Sequence, residues 1–388
     1  MSTLRSWAVT ELGKVMTLQR GYDLPSRLRR GGAIPIVSSS GVSDFHAEAA
    51  SIGPGVVTGR YGTIGQTFYV EGDYWPLNTT LFVSDFHGNH PKFCYYILKT
   101  VDFASHSGKS GVPGINRNDI HELALCYPTF TEEQQAIVEA LGDADALIEA
   151  LEALIAKKRD IKQGAMQDLL TGQRRLPGFR GEWAKAAIGN LFDFGRSVPL
   201  SRAQLSEEGD VSYVHYGDIH TRLHTHLDFQ RTPTPGADKA LCGAATPLRV
   251  GDWVFADASE DYDGVAKAVE VIQLPVDRSA VAGLHTFILR ERVETFAPRF
   301  KGYLAYASSF RSQVMRSATG MKVFGISKSQ MKEVELHFPL TLDEQRAIAT
   351  VLSDMDAEIA ALEDKLAKAR EVKQGMMQVL LTGEIRLV

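Results

Sequence analysis

Apolar residues step by four and then three along two stretches of this chain. In the first they are Ile137, Leu141, Ala144, Ile148, Leu151 and Ile155; in the second, Ile348, Leu352, Met355, Ile359, Leu362 and Leu366. That alternation is an a/d seam, the mark of a coiled coil rather than of a broad core-facing helix. Each stretch carries its own start and stop signals. Thr131 with Gln134 and Thr341 with Glu344 have capping-box spacing, just downstream of Pro128 and Pro339. Gly172 and Gly383 follow the last apolar pairs and suit C-terminal caps. About 40 residues lie between cap and glycine, which predicts helices roughly 60 Å long at 1.5 Å per residue. Gly164 and Gly375 interrupt the pattern as candidate kinks.

The two stretches are copies. An offset of 211 carries Pro128–Leu176 onto Pro339–Leu387 without a gap: Glu133-Gln134 returns as Glu344-Gln345, Asp145 as Asp356, and Leu169-Leu170-Thr171-Gly172 as Leu380-Leu381-Thr382-Gly383. Seams of equal length argue that the helices pair with each other inside one chain, against a generic dimerisation coil.

Between the helices the period changes. Short apolar runs broken by glycine predict strands at 53–57 and 67–70 around a turn at 59–65, with a helix over 91–101. A second globule predicts strands at 211–216, 252–256 and 266–272 and a helix over 300–314. Trp183, Gly189 and Arg196 match Trp7, Gly13 and Arg20 at an offset of 176, and Gly325-Ile326 match Gly114-Ile115 at 211. The second globule therefore carries about 35 extra residues. The expected fold is α+β: two mixed α/β globules (1–130 and 183–338), a central helix (131–172), a linker (173–182) and a C-terminal helix (339–388). Two similar globule–helix units should relate by a pseudo-twofold, which makes the coiled coil antiparallel.

Composition places the 388 residues among ordinary globular proteins, 44% hydrophobic with a net charge of −5 and a pI near 6.1. That disfavours a uniformly basic nucleic-acid binder, but the average hides local patches. Arg292–Lys332 holds eight Lys or Arg against Glu294, and Arg5–Arg30 holds six against Glu11 and Asp23, while the first helix is acidic. Three cysteines without metal spacing, Cys94, Cys126 and Cys242, suggest reduced thiols. With no signal-like or membrane-length apolar run, a cytoplasmic location is expected.

No catalytic constellation emerges. Gly108-Lys109-Ser110 resembles the end of a phosphate-binding loop but has Phe103 where the first glycine belongs. His215, His220, His224 and His226 cluster without a nearby cysteine, so a surface or DNA-facing role outweighs zinc. Nucleophile elbows, dinucleotide fingerprints and amino-methyltransferase motifs are missing. What recurs is Arg or Lys beside aromatic residues and in polar loops. Arg20, Tyr22, Arg27, Arg60, Tyr61, Lys109, Ser110 and Arg117 are the candidate DNA contacts of the first globule; Arg196, Arg202, Arg311, Arg316, Lys322 and Lys328 are those of the second. For any one of them the alternative is ordinary surface charge.

Glu133-Gln134-Gln135-Ala136-Ile137 after Pro128, Lys162-Gln163-Gly164 through Gly172, and their second copies resemble the specificity subunit of type I restriction-modification systems. The resemblance covers essentially the whole chain. One departure is that Pro128 is followed by Thr129-Phe130 and not by the usual leucine, which the second copy keeps in Pro339-Leu340. The resemblance implies that each globule is a target recognition domain for one half of a bipartite, asymmetric site in double-stranded DNA. It implies a coiled coil that sets their spacing and docks two modification (methyltransferase) subunits, to which two restriction subunits (translocase and nuclease) can add. Ile137, Leu141, Ile148, Leu151, Ile155, Ile348, Leu352, Ile359, Leu362 and Leu366 are its expected seam. The chain itself would be non-catalytic and bind no cofactor. S-adenosylmethionine would belong to the methyltransferase subunits, where the target base is extruded, and ATP and Mg to a restriction subunit. The rival reading is a coiled-coil adaptor that reads no DNA.

Overall fold

The computed structural model describes residues 7–107 and 113–387. They form two compact units, Met1–Ala153 with Leu362–Val388, and Leu154–Ala361. Each unit is a globule joined to parts of both long helices, Thr131–Thr171 and Leu342–Leu380.

The first globule is built on a four-stranded antiparallel sheet in the order Thr17–Arg20, Thr80–Asp85, Gly55–Gly59, Thr67–Val70. A smaller sheet pairs Gly41–His46, Ile34–Ser38 and Trp75–Pro76. The helix Pro91–Thr100 buries Phe93, Tyr96 and Ile97, as its apolar spacing predicted. A ribbon of Trp7–Glu11 against Ala124–Pro128 leads into the long helix.

The second globule repeats this plan and extends it. Its ribbon is Trp183–Ala187 against Glu335–Pro339. Its main sheet runs Phe192–Gly195, Thr286–Glu291, Trp253–Ala256, Ala268–Gln273, and a fifth, parallel strand, His226–Asp228, is added at the edge. The central strands Gly55–Gly59 and Trp253–Ala256 correspond at an offset of 197, so the extra residues enter largely before the central strand. Three predicted elements differ. The strand expected over 211–216 stops at Val214, because His215 caps a helix, Tyr216–Thr221. The strand expected from 266 starts at Ala268, since Ala266 takes a left-handed φ of +57°. The helix expected over 300–314 is two, Phe300–Leu304 and Ser308–Ser317, because Ala307 is extended.

The long helices stop at Thr171 and Leu380, one and three residues before the glycines read as their caps. Gly172 and Gly383 adopt φ of +73° and +77°, and a β-carbon on either would press on the ring of Trp183 or Trp7. The far members of the predicted capping boxes, Gln134 and Glu344, are engaged elsewhere. The Gln134 amide, fully buried, donates to Pro128 O at 2.9 Å and accepts the His90 N–H at 2.8 Å; Gln345 does the same with Pro339 O at 2.8 Å and Ala297 N–H at 2.7 Å. Buried backbone groups of the globule need these partners, and that need outranks a local cap. Glu344, also buried, receives the Arg175 guanidinium, and Glu133 receives Arg386, at the same offset of 211.

Within each unit the helices run antiparallel: 133, 145 and 152 face 386, 373 and 370 in the first, and 158 and 162 face 358 and 356 in the second. The seam is not uniform. Leu151, Ile155 and Ile359 are buried, Ile148, Leu362 and Leu366 half-buried. Ile137 and Leu141 instead join the core of the first globule with Phe93 and Tyr96, and Ile348 and Leu352 that of the second with Phe296 and Tyr303. At its start each helix is therefore part of a globular core.

Candidate nucleic-acid interface

In the first unit the buried central strand ends at Gly59, where a β-carbon would lie 1.9 Å from the Thr63 carbonyl oxygen, and the chain turns sharply. Arg60 and Tyr61 begin that turn. Both N–H groups donate to Thr79 O, at 2.9 and 3.1 Å, and Ile115 N–H donates to Arg60 O at 3.1 Å. The Arg60 side chain is held as well: Nε–H donates to Ile115 O at 3.1 Å, and the guanidinium lies 4.6 Å from the centre of the Tyr61 ring. Tyr61 in turn covers Gly114, where any side chain would collide with the ring.

These constraints shape an open cavity of about 330 Å³ lined by Arg20, Arg60, Tyr61, Asn116 and Arg117. Arg20 ends an edge strand beside Asp23, 3.3 Å away; Arg117 opens the helix Arg117–His121, which Asn116 caps. The sequence thus named four residues, Arg20, Arg60, Tyr61 and Arg117, that the fold brings to one place. The two terminal nitrogens of Arg60 have no protein partner among the described residues. A guanidinium fork anchored at Nε is suited to a paired acceptor, a phosphate or the O6/N7 edge of guanine. Tyr22 packs instead on Trp75 and Phe82, and Arg27 is exposed on a short turn. Lys109 and Ser110 lie outside the described residues.

The candidates of the second unit are more scattered. Arg202 forks onto the buried Asp218 carboxylate at 2.9 and 3.0 Å, and that bond with the neighbouring charge holds its pKa above the usual arginine value. Arg311 donates to Val265 O and Asp263 O, and burial lowers its pKa. These two arginines hold the fold together. Arg196, Arg316 and Lys322 are exposed, and Lys328 lies 4.9 Å over the Phe194 ring. A second cavity, about 640 Å³, is lined by Arg202, Arg222 and Arg278. The last two were not among the candidates read from the sequence.

The histidines do not converge on a metal. His215 Nδ1 accepts the Gly217 N–H, His220 Nε2–H donates to Ala258 O, and His226 Nε2–H donates to Arg299 O with its ring edge-on to Tyr303. Burial lowers the pKa of His215 and His226, so both are neutral near pH 7. Among the described residues no group of three or more His, Cys, Asp or Glu is placed to hold a metal ion. Likewise, no described helix is long and apolar enough to cross a membrane.

Residues 5–158 match the family described as the type I restriction modification DNA specificity domain. The chain is 22% identical over 310 residues to the type I restriction enzyme MjaVIII specificity subunit of Methanocaldococcus jannaschii, covering 76% of this chain and 70% of that protein. A second protein of that organism, the putative MjaX specificity subunit, is 26% identical over 322 residues, 76% of this chain and 68% of its own. In fold, the chain matches the crystal structure of a type I S subunit from M. genitalium with a TM-score of 0.61 at 15% identity, over 98% of this chain and 97% of that one. A solved structure described by the complex assembly and conformational transition of a type I system matches with a TM-score of 0.56 at 16% identity, over 98% of each chain. An adaptor that reads no DNA finds no support in these likenesses. Residues 5–158 thus carry the likeness to a type I DNA specificity domain, and over about three quarters of its length the chain is similar to specificity subunits of type I restriction-modification systems, whose fold it shares.

Proposed function

We propose that each globule reads one half of a bipartite, asymmetric site in double-stranded DNA, the first through the cavity of Arg20, Arg60 and Arg117. The convergence of three arginines around Tyr61 carries this reading. Anchored arginines specify bases, whereas Arg27 and Lys322 are exposed and suited to phosphate. The chain supplies position and no chemistry. Two methyltransferase subunits, which bring S-adenosylmethionine, dock on the long helices; restriction subunits, where a system has them, bring ATP and Mg. The helices fix the number of unread base pairs between half-sites. In support of docking, Leu154 and Ile161 stand exposed seven residues apart on the first helix, and Val372, the counterpart of Ile161, is exposed on the second. Unpaired cysteines, Cys94 buried and its thiol pushed up to about 12, agree with a reducing cytoplasm.

The test is exchange of residues 183–338 for the corresponding globule of a relative, followed by methylome sequencing of cells that carry the chimaera and its partners. One half of the methylated sequence should change and the other stay. A change in both halves would defeat independent reading.

A further inference from the structure

The strands around the first cavity recur in the second unit with their register intact, so the two can be compared residue by residue. Asp257 follows the last residue of the central strand as Arg60 does. Its N–H donates to His285 O at 3.0 Å, as that of Arg60 does to Thr79 O, and its carbonyl accepts the Ile326 N–H at 2.9 Å, as that of Arg60 accepts Ile115. The next residues agree as well. Thr80 and Thr286, which follow Thr79 and His285, each donate the side-chain hydroxyl to the carbonyl three residues back. Tyr61 bridges to Gly114, and Ala258 pairs with Gly325. Arg117 and Lys328 both open short capped helices. The frame is the same and the side chains differ: Arg60, Tyr61 and Thr79 become Asp257, Ala258 and His285.

The replacements act together. His285 Nδ1–H donates to Asp257 Oδ1 at 3.1 Å, and its ring stands edge-on to Tyr216 at 5.4 Å. The imidazole is about half exposed, with 48% of its side-chain surface accessible, while Asp257 lies mostly behind it at 24%. His285 holds a left-handed φ of +56°, a conformation that needs support from its surroundings. Burial raises the Asp257 carboxyl, and the neighbouring His285 opposes the shift. With Nδ1–H committed to the carboxylate, a neutral ring presents Nε2 as an acceptor, and the carboxylate keeps a second accepting oxygen.

We propose that Asp257 and His285 are the base-reading pair of the second unit, in the place of the arginine site of the first, and that they take an exocyclic amino group in the major groove, adenine N6 or cytosine N4. This rests on the DNA-reading role proposed above for both globules. Acceptors on the protein match the donor edges of adenine and cytosine and oppose the O6 and N7 acceptors of guanine, whereas Arg60 prefers the reverse. The two half-sites therefore differ in kind at corresponding positions.

The experiment is selection from a randomised duplex library at neutral pH by the full chain, isolated with its bound subunits. Wild type should return a bipartite sequence. His285→Gly, which suits the left-handed backbone, and Asp257→Asn should each weaken the preference for an amino-bearing base at one position of one half by about tenfold. The other half should not change. Arg60→Gln should alter only that other half. If both variants of the pair select the wild-type bases in both halves, or lose both halves together at an unchanged melting temperature, the assignment is overturned with DNA reading intact. A wild-type chain that enriches no bipartite sequence overturns the reading itself and this assignment with it. Should one variant fold poorly, the other still decides.

Discussion

The Lys373 ammonium meets the Asp145 carboxylate, whose second oxygen accepts the Tyr96 hydroxyl at 2.7 Å. One triangle thus ties the second long helix, the first long helix and the first globule together. At an offset of 211 for the helices, Lys162, Asp356 and Tyr303 make it again in the second unit, with the Tyr303 hydroxyl at 2.7 Å. Each lysine also stands 5.8 Å over its tyrosine ring. Burial, reinforced by the carboxylate, raises both tyrosines above the ordinary phenol range, so they act as donors throughout the physiological range.

Lys373→Met should therefore destabilise the first unit by about 1–3 kcal/mol, because it leaves Asp145 half-buried without its cation. Lys162→Met should do the same in the second. Adding Asp145→Leu to Lys373→Met should recover part of the loss. Denaturant unfolding of the single and double variants measures this coupling.

Charges placed on the seam should release the partner subunits before the globules unfold. Leu151 is buried and Leu362 half-buried, both in the first unit. Aspartate at both positions costs several kcal/mol if the carboxylates stay buried and unpaired. Co-purification with a methyltransferase subunit is expected to fail while the circular dichroism of the chain is kept. Intact co-purification would show that docking is indifferent to the seam.

In the arginine cavity, Arg60→Ala should lower affinity for cognate DNA by about 1–3 kcal/mol and relax the base preference of one half-site. Arg27→Ala should weaken cognate and random DNA alike and reduce the salt slope by about one. Salt-titrated binding of both variants separates base contact from phosphate contact. An Arg60→Ala chain with unchanged discrimination would remove the cavity from the reading face.

Acid should loosen both units. Burial lowers the pKa of His90 and His121 in the first and of His215 and His226 in the second. For each, the unfolded chain takes up a proton that the folded one resists. Stability is then complete above an unfolded histidine pKa of about 6.5 and declines as the pH falls below it. Melting temperature measured from pH 8 down to 5 should drop, and His226→Gln should shrink the drop in the second unit's transition.

Much of this architecture is local and therefore legible in the sequence. The four-three steps from Ile137 to Ile155, the glycines at 172 and 383, and the offset of 211 state the helices, their ends and their duplication, because period and cap depend on neighbours along the chain. Tertiary structure decided the use of individual polar groups, because their partners are distant in sequence. Gln134 read as part of a helix cap and became, like its copy Gln345, an anchor for globule backbone, since an unpaired buried N–H costs more than a frayed end. Arg202 and Arg311 read like Arg60, yet the buried Asp218 carboxylate takes the first and backbone carbonyls take the second, while the turn after Gly59 left the Arg60 fork open to a ligand. Asp257 and His285, 28 residues apart, carried no signal in the sequence; only the register of two antiparallel strands sets one against the other.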